Sequence, residues 1–319
     1  MRLEKVKDIE LGKRETITDL IGAFSTSGGF TARKLAVAAE ILAEMMEKDC
    51  VKFLSFPACI VATGTRGVIR TLVKERMADV VITTCGTLDH DIARSAKDYY
   101  HGDFLMDDLD LRKRGINRLG NVLVPHESYG KAIEERSQEL LEDIYAKSGK
   151  HTFSTREICS EVGKRLGPDT ILHWCWKNKV PVYVPGITDG AFGVQLWMFM
   201  QQHRDFKVDV FADEDELSGI IFPLQEKLTG ALIVGGGISK HHTIWWNQFK
   251  GGLNYAVYLT TAEESDGSLS GARLREAVSW GKVHAKAKFI TVEGDATITL
   301  PMLASYLLDK RKKGGKKRV

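Results

Sequence analysis

Short runs of β-branched and other apolar residues recur along the chain and alternate with segments of helical character. Because a fully buried strand shows a short continuous apolar run, six such runs predict strands. Ser154 and Glu157 form a capping-box pattern that predicts a helix over 155–165, and an acidic amphipathic run predicts another over 213–228. Pro301 suits a first helical position and predicts a helix over 301–310. The six predicted strands are 51–56, 79–84, 180–184, 231–234, 254–259 and 288–292.

The alternation of strands and helices predicts an α/β fold. We expect a doubly wound, mostly parallel, Rossmann-like sheet with helices on both faces. Such sheets bind ligands beyond the carboxyl ends of their strands. Turns are generally rich in Gly, Asp and Ser, but five polar loops that follow predicted strands favour a cleft for a polar ligand at one sheet edge. These loops are 85–91, 185–190, 235–242, 260–267 and 293–297.

The composition is that of an ordinary globular protein. The chain has 319 residues, 43% of them hydrophobic and 27% charged, which excludes wholesale disorder. The net charge is +3, and residues 310–319 carry seven basic groups, so subtracting these leaves −4 for the rest of the chain. A mildly acidic body argues against a nucleic-acid partner. We therefore predict a single α/β domain over 1–309, with an N-terminal helical extension at about 1–50 and a basic, disordered tail at 310–319.

The cysteines and the N-terminus indicate a reducing compartment. The five cysteines are odd in number and contain no CxxC pair, so we expect free thiols and no metal site. The first 15 residues are charged throughout and lack the apolar core of a signal peptide. We therefore expect a cytoplasmic protein without a membrane partner.

The glycine segment, residues 235–237, is the first feature that carries chemistry. Three consecutive glycines let backbone N–H groups approach a phosphate, and the following helix N-terminus adds positive potential. A tight strand-to-helix turn explains them equally well. The dinucleotide pattern GxGxxG and the phosphate-loop pattern GxxxxGK[ST] are both absent. His241, which follows the glycines, is either a general base or a surface histidine.

Lys282 lies between Gly281 and Val283, two residues after Trp280. A desolvated amine in such surroundings is a nucleophile suited to forming an imine, although most lysines are solvated surface charges. The sequence alone leaves both interpretations open. Trp245 and Trp246 are interpreted as packing residues.

Several long motifs resemble deoxyhypusine synthase, and the resemblance extends from about residue 24 to residue 308. The most specific are GGGISKHH at 235–242 and SGARLREAVSWGK at 270–282. The others are DVVITT at 79–84, RGINRLGNVLVP at 114–125, NKVPVYVPGITDG at 178–190 and NYAVYLTTAEESDG at 254–267.

The resemblance implies a tetrameric, NAD-dependent transferase. In that family, spermidine is oxidised with bound NAD, its aminobutyl group forms an imine with an enzyme lysine, and the group then passes to a lysine of translation initiation factor 5A. Lys282 matches the imine-forming lysine and His241 the histidine that assists proton transfer. Trp280 and Glu276 match amine-site residues. The implied NAD contacts are Thr83, Thr84, Asp89, Asp189, Gly235, Gly236, Gly237, Thr261, Ala262, Gly294 and Asp295.

The chain departs from the family pattern at positions that bind the amine. Val194 and Leu269 replace two carboxylates, and Asp266 is the nearest residue that could supply the missing charge. The family's E-E-D is Asp-His-Asp at 89–91, and a cofactor contact is missing near residues 57–59. Unpaired buried ammonium groups are costly. Two alternatives therefore stay open. The first is the same chemistry on a different amine donor or acceptor, as in homospermidine synthases. The second is a non-catalytic, NAD-binding regulatory paralogue.

Overall fold

The computed structural model describes residues 4–12 and 16–315. The helices are α1 (Ile17–Phe24), α2 (Phe30–Glu47), α3 (Arg66–Lys74), α4 (Cys85–Ala96), α5 (Asp108–Lys113), α6 (Gly130–Lys147), α7 (Thr155–Arg165), α8 (Ile171–Asn178), α9 (Ala191–Gln202), α10 (Phe211–Ile221), α11 (Gly237–Gln248), α12 (Leu274–Ser279) and α13 (Ala296–Gly315). The strands are β1 (Cys50–Ser55), β2 (Val80–Ile82), β3 (Tyr100–His101), β4 (Ile116–Leu119), β5 (Val122–Pro125), β6 (Thr152–Phe153), β7 (Val182–Tyr183), β8 (Lys207–Val208), β9 (Leu228–Val234), β10 (Leu253–Thr260) and β11 (Val283–Glu293).

The chain divides into two compact units, of which unit 1 comprises residues 1–55 and 221–319. Its strands lie in the order β11-β10-β9-β1, and each neighbouring pair is parallel. Nearly every residue of β9 and β10 is buried, so both faces of these strands are covered. Helices α2, α11 and α13 pack against this sheet. The carboxyl ends of its strands meet at one edge, where α11 and α13 begin.

Unit 2 comprises residues 56–220. It contains the parallel pair β2 and β7, the antiparallel sheet β3-β5-β4 and the parallel pair β6 and β8. Helices α4, α6 and α9 pack together, and α7 packs on α8. Thus parallel strands followed by helices occur in both units, which confirms the predicted α/β class with a mostly parallel sheet.

All six predicted strands are present as β1, β2, β7, β9, β10 and β11. The capping box is also present: the Ser154 hydroxyl accepts from the Glu157 N–H, the Glu157 carboxylate accepts from the Ser154 N–H, and α7 begins at Thr155. These features were predictable because continuous burial and helix capping depend on residues that are close together in the sequence.

Two helix predictions are wrong at their ends. The helix expected over 213–228 ends at Ile221, where a 3-10 turn containing Pro223 follows, and β9 already begins at Leu228. Pro223 has no N–H and disfavours helical geometry in the residue before it, which ends the helix. Pro301 is not a first residue but lies inside α13, because Asp295 accepts from the Thr297 N–H and starts the helix earlier.

The C-terminal helix also changes the predicted tail. Helix α13 runs to Gly315, so residues 310–315 are helical where the sequence predicted disorder, and residues 316–319 lie outside the described residues. At the other end of the chain, α1 and α2 fall within the predicted helical extension and belong to unit 1. The single-domain organisation stays a prediction. In the part of the chain that the structure describes, no cysteine forms a disulfide bond. Within residues 4–12 and 16–315, no helix combines the length and apolar character needed to span a membrane.

Candidate active site

Lys282 and His241 meet in unit 1. Lys282 directly precedes β11, and its carbonyl accepts a hydrogen bond from the Leu253 N–H at 3.1 Å, so its backbone lies at the amino end of β10. Its Nζ nevertheless reaches helix α11, where it lies 3.4 Å from His241 Nε2. The Lys282 side chain is only 8% exposed. A buried amine in contact with an imidazole is the arrangement expected of an activated nucleophile and its base.

Two indole rings flank this amine. The Lys282 Nζ lies 5.0 Å from the ring centroid of Trp280 and 5.6 Å from that of Trp245. The Trp245 ring also stacks on His241, with centroids 5.7 Å apart. Trp245 therefore belongs to the lysine site, and its interpretation as a packing residue is wrong, whereas Trp246 is buried as expected. The four-residue spacing from His241 along one helix face was the available signal.

His241 is held as a neutral imidazole beside the Lys282 amine. Burial lowers the pKa of its imidazole below the ordinary value, and the positive charges of Lys282 and Lys240 lower this pKa further. The neutral ring therefore predominates at pH 7, and in the tautomer with an unprotonated Nε2 it can accept a proton from the Lys282 ammonium.

The other two predicted amine-site residues lie on or before α12. Glu276 is exposed and stands one helical turn before Trp280, which places both on the same side. Asp266 is exposed on the loop between β10 and α12, and its Oδ1 accepts from the Ser268 N–H at 2.7 Å. That hydrogen bond is the main cause of its lowered pKa, so Asp266 is ionised at neutral pH. Its contact with an amine stays a prediction.

The glycine segment follows β9 at the carboxyl edge of the unit 1 sheet. Gly235 and Gly237 have positive φ angles of 63° and 70°, which explains two of the three glycines. Gly236 is needed for a different reason than expected, because a Cβ there would lie 2.4 Å from the Cα of Ser270. The close approach at Gly236 is thus made by the chain's own backbone. Gly237 has open space above it.

The remaining predicted cofactor residues of unit 1 lie at the same edge. Thr261 and Ala262 follow β10, and the Ala262 N–H donates to the Thr260 hydroxyl. Gly294 and Asp295 follow β11, where the Gly294 N–H donates to the Thr260 carbonyl at 2.9 Å. The register of the parallel strands therefore brings the ends of β9, β10 and β11 side by side, as the sequence predicted.

This edge fits a phosphate-bearing cofactor such as NAD. No side chain caps the N-terminus of α11, and a Cβ added at Gly237 would meet no atom within 4 Å, so this helix start has N–H groups without a side-chain partner and space beside it. The Ser55 hydroxyl at the end of β1 is buried without a hydrogen-bond partner, and Ser55 pairs in register with Ile233, two residues before the glycine segment. A buried hydroxyl without a hydrogen-bond partner in the protein is expected to bind a ligand or a water molecule. Sequence analysis missed Ser55, although a polar residue ending an apolar run was a signal.

In unit 2, two predicted cofactor residues follow β2. Thr83 is fully buried, and its hydroxyl donates to the Phe56 carbonyl at 2.7 Å and also contacts the Thr87 hydroxyl. Thr84 occupies the N-cap position of α4 without capping it, and its hydroxyl is buried without a partner. Of the two, Thr84 retains the free hydrogen-bonding capacity that a ligand requires.

Asp89 and Asp189 differ sharply in their surroundings. Asp89 is 1% exposed, and its carboxylate accepts from the Tyr129 hydroxyl and from the N–H groups of Ala191 and Phe192. It therefore caps α9, and burial raises its pKa despite these donors. Asp189 is exposed just before α9. The cofactor contacts of both residues stay predictions, but only Asp189 leaves its carboxylate open to solvent.

The departures from the family pattern are solvent-facing apolar side chains. Val194 on α9 is 48% exposed and Leu269 is 45% exposed.

Asp91, in the altered 89–91 motif, forms a buried ion pair with Arg66 at 2.8 Å and accepts from two N–H groups at the start of α8. The Asp-His-Asp motif is thus a structural centre of unit 2. Across residues 4–12 and 16–315, no group of three or more His, Cys, Asp or Glu side chains is placed to hold a metal ion.

Comparisons with known proteins agree with these motifs. Among curated proteins, the probable deoxyhypusine synthase of Picrophilus torridus is 54% identical over 306 residues, which cover 96% of this chain and 97% of that protein. The probable deoxyhypusine synthase of Ignicoccus hospitalis is 50% identical over 316 residues, covering 97% of each.

Solved structures share the fold at low sequence identity. A putative deoxyhypusine synthase from Entamoeba histolytica has a TM-score of 0.66 at 19% identity, covering 95% of this chain and 97% of that one. The ternary complex of AgrE with ornithine and NAD+ has a TM-score of 0.53 at 13% identity and covers 90% of this chain but 34% of that one. Finally, the sequence model of the family described as deoxyhypusine synthase matches residues 19–307. The chain therefore belongs to the deoxyhypusine synthase family.

Proposed function

We propose that this protein is an NAD-dependent transferase that moves an aminobutyl group from spermidine, through an imine on Lys282, to a lysine of translation initiation factor 5A. Membership of the family supports a transferase. The observation that carries the finer proposal is the Lys282–His241 pair, with Nζ and Nε2 3.4 Å apart between two indole rings.

The cofactor belongs at the carboxyl edge of unit 1 in this proposal. The chemistry that bound NAD would supply is acceptance of a hydride from the donor amine and its return to the final carbon–nitrogen double bond. The uncapped start of α11 would hold its phosphates, and the Ser55 hydroxyl would gain a partner. His241 lies four residues beyond Gly237, about 6 Å along the helix axis, so the amine and cofactor residues share one helix.

Lys282 and His241 divide the transfer between them. His241 accepts a proton from the Lys282 ammonium, and the freed amine attacks the electrophilic carbon of the oxidised donor. A new carbon–nitrogen bond forms at Nζ, and the remaining amine leaves with the proton that His241 returns. The acceptor lysine then attacks the same carbon and displaces Lys282, which regenerates the free amine.

A second candidate keeps this chemistry but uses a different amine donor or acceptor. Its support is specific: Val194 and Leu269 stand exposed where the family pattern has carboxylates. A site with fewer anions favours an amine with fewer buried cations. A non-catalytic paralogue has less support, because such a protein needs neither a buried lysine nor a histidine in contact with it.

Incubation of the protein with NAD and a panel of di- and polyamines tests the proposal through the formation of NADH. The proposed function predicts NADH formation with spermidine, whereas the second candidate predicts weak formation with spermidine and stronger formation with another amine. The variant carrying both Val194→Asp and Leu269→Asp should raise spermidine use at least tenfold, since each charged hydrogen bond contributes roughly 1.5–3 kcal/mol, about tenfold to a hundredfold in binding. No NADH with any amine would contradict the proposal, and spermidine as the best wild-type substrate would exclude the second candidate.

The proposal includes a homotetramer. On α11, Ile238, Trp245 and Phe249 are each more than 40% exposed and lie along one helix face. Uncovered aromatic surface of this kind supports burial against a further subunit.

A further inference from the structure

Lys240, the residue before His241 on α11, is buried with an unusual set of partners. It is 2% exposed, and its Nζ donates to the carbonyls of Leu269 and Ala272 at 2.7 and 2.5 Å. The same Nζ lies 3.9 Å from the ring centroid of Tyr258. A buried lysine is costly unless hydrogen bonds and nearby π-electrons compensate for lost hydration, and here both are present.

The charge on Lys240 persists at neutral pH. Burial lowers the pKa of its ammonium to about 8, the negative charge of Glu276 opposes this shift, and the positive charge of Arg273 adds to it. At pH 7 the side chain is therefore a cation held by two carbonyl oxygens. Both of these carbonyl groups belong to residues 269–272, which we call the clamped segment.

Other side chains hold the carbonyls between these two. The Ser270 carbonyl accepts from the Tyr258 hydroxyl at 2.6 Å and from the Thr260 hydroxyl at 3.1 Å. The Gly271 carbonyl accepts from the Arg273 guanidinium at 3.2 Å. Thus all four carbonyls of the clamped segment accept hydrogen bonds from side chains, and Lys240 binds the first and the last.

The clamped segment connects the cofactor edge with the amine residues. On one side, Ser270 packs against Gly236 so closely that no Cβ fits between them. On the other side, the segment leads into α12, which carries Glu276 and has Trp280 as its C-cap residue. A displacement of the segment would therefore move Glu276 and Trp280 relative to α11, where His241 lies.

We propose that Lys240 is a positioning residue that fixes the clamped segment and, through it, places α12 against α11. The consequence for the amine site rests on the proposed function, whereas the consequence for the segment does not. Lys240 does not compete with Lys282 as a nucleophile, because its amine is enclosed by the two carbonyls that it binds.

Lys250, in the turn that follows α11, offers a matched control. It is also a buried lysine, 7% exposed, and its Nζ donates to the side chains of Thr229 and Asn254 at 3.3 and 2.9 Å. Burial lowers its pKa as it does for Lys240. Lys250→Met therefore removes a similar set of contacts without touching the clamped segment.

Hydrogen–deuterium exchange on the full chain tests the proposal without cofactor or amine. In Lys240→Met, amides at 268–276 should exchange about tenfold faster or more than in the wild type, whereas Lys250→Met should accelerate exchange near residues 229 and 254 only. Tyr258→Phe, which removes one hydroxyl and keeps the ring, should accelerate 268–276 to a smaller extent. If Lys240→Met fails to fold, Lys240→Gln, which keeps an N–H donor but removes the charge, decides the question by the same measurement at 268–276.

Amine kinetics provide the second readout. Lys240→Met should raise the KM for the amine about tenfold with a smaller fall in kcat, since the nucleophile and its base are retained. Unchanged exchange at 268–276 in both Lys240→Met and Tyr258→Phe would overturn the positioning role. Faster exchange in a protein whose wild type oxidises no amine would uphold it and reject the proposed function instead.

Discussion

At the scale of single residues, Trp245 changes the character of the lysine site. It stacks on His241 and lies within cation–π distance of the Lys282 amine. Its sequence context predicts a packing residue instead. Two indoles around one amine provide negative π-faces that can stabilise its positive charge.

Replacing Trp245 with leucine should therefore weaken amine use. We expect kcat/KM for the best amine to fall about two- to thirtyfold, which corresponds to the roughly 0.5–2 kcal/mol of a cation–π contact. Trp245→Phe should retain most of the activity. Phe249→Leu is a matched control, because Phe249 is similarly exposed on the same helix and its ring contacts Trp245. Equal losses in the two leucine variants would show that Trp245 merely packs.

The residues that sequence analysis missed share one property. Lys240 contacts Leu269 and Ala272, and Trp245 contacts Lys282, so both acquire their roles from residues about thirty or more positions away, which neighbouring residues in the sequence do not reveal. The glycine segment illustrates the same limit: its positive φ angles were foreseeable, but the approach of Ser270 to Gly236 depends on a loop more than thirty residues later. Lys282 and His241 were identifiable only through long motifs.

At the scale of elements, Asp89 has a structural role, whereas Asp189 stays a predicted cofactor contact. Gly190 is the N-cap residue of α9 and has no side chain with which to cap the helix. The Asp89 carboxylate caps it instead. A Cβ on Gly190 would lie 2.9 Å from the Asp89 carboxylate, so this cap requires glycine at its neighbour. One residue of α4 thus fixes the start of α9.

Alanine substitutions should separate the two roles. Asp89→Ala leaves the Tyr129 hydroxyl and two N–H groups unsatisfied, so urea titration should show the free energy of unfolding reduced by about 2–4 kcal/mol. Asp189→Ala should leave unfolding within about 0.5 kcal/mol of wild type and weaken NAD binding in calorimetry. Normal stability of Asp89→Ala would refute the capping role, and normal NAD affinity of Asp189→Ala would remove Asp189 from the cofactor site.

Element ends were predictable where the decisive residues are local. Ser154 and Glu157 sufficed for α7, and Pro223 within the run 213–228 was an overlooked signal for the end of α10. Pro301 was misleading, because its preference for a first position is outweighed by the Asp295 cap and by the buried Leu300, Leu303 and Leu307, which keep α13 continuous.

At the scale of the whole molecule, buried histidines link stability to pH. His90 is 6% exposed, and its Nδ1 lies 2.9 Å from the Tyr99 hydroxyl. Burial, with a smaller contribution from the charge of Arg94, lowers the pKa of His90 to about 4. The unfolded chain binds this proton near pH 6.5, so the contribution to stability is present above pH 6.5 and is lost as the pH falls towards 4.

The free energy of unfolding should therefore decrease by about 2 kcal/mol between pH 7 and pH 5 on account of His90. In His90→Phe this decrease should shrink by a similar amount, measured by urea titration at both pH values. His284→Phe serves as the control because His284 is exposed. An unchanged pH dependence in His90→Phe would contradict the assignment of a neutral, buried imidazole.

The central claim is that Lys282 forms the covalent link to the transferred group. Borohydride reduction during turnover with NAD and the best amine, followed by peptide mass spectrometry, tests it most directly. We expect a stable adduct on Lys282, no adduct in Lys282→Arg because arginine remains protonated, and an undiminished adduct in Lys250→Met. An adduct on another lysine, or none in a protein that forms NADH, would contradict the claim.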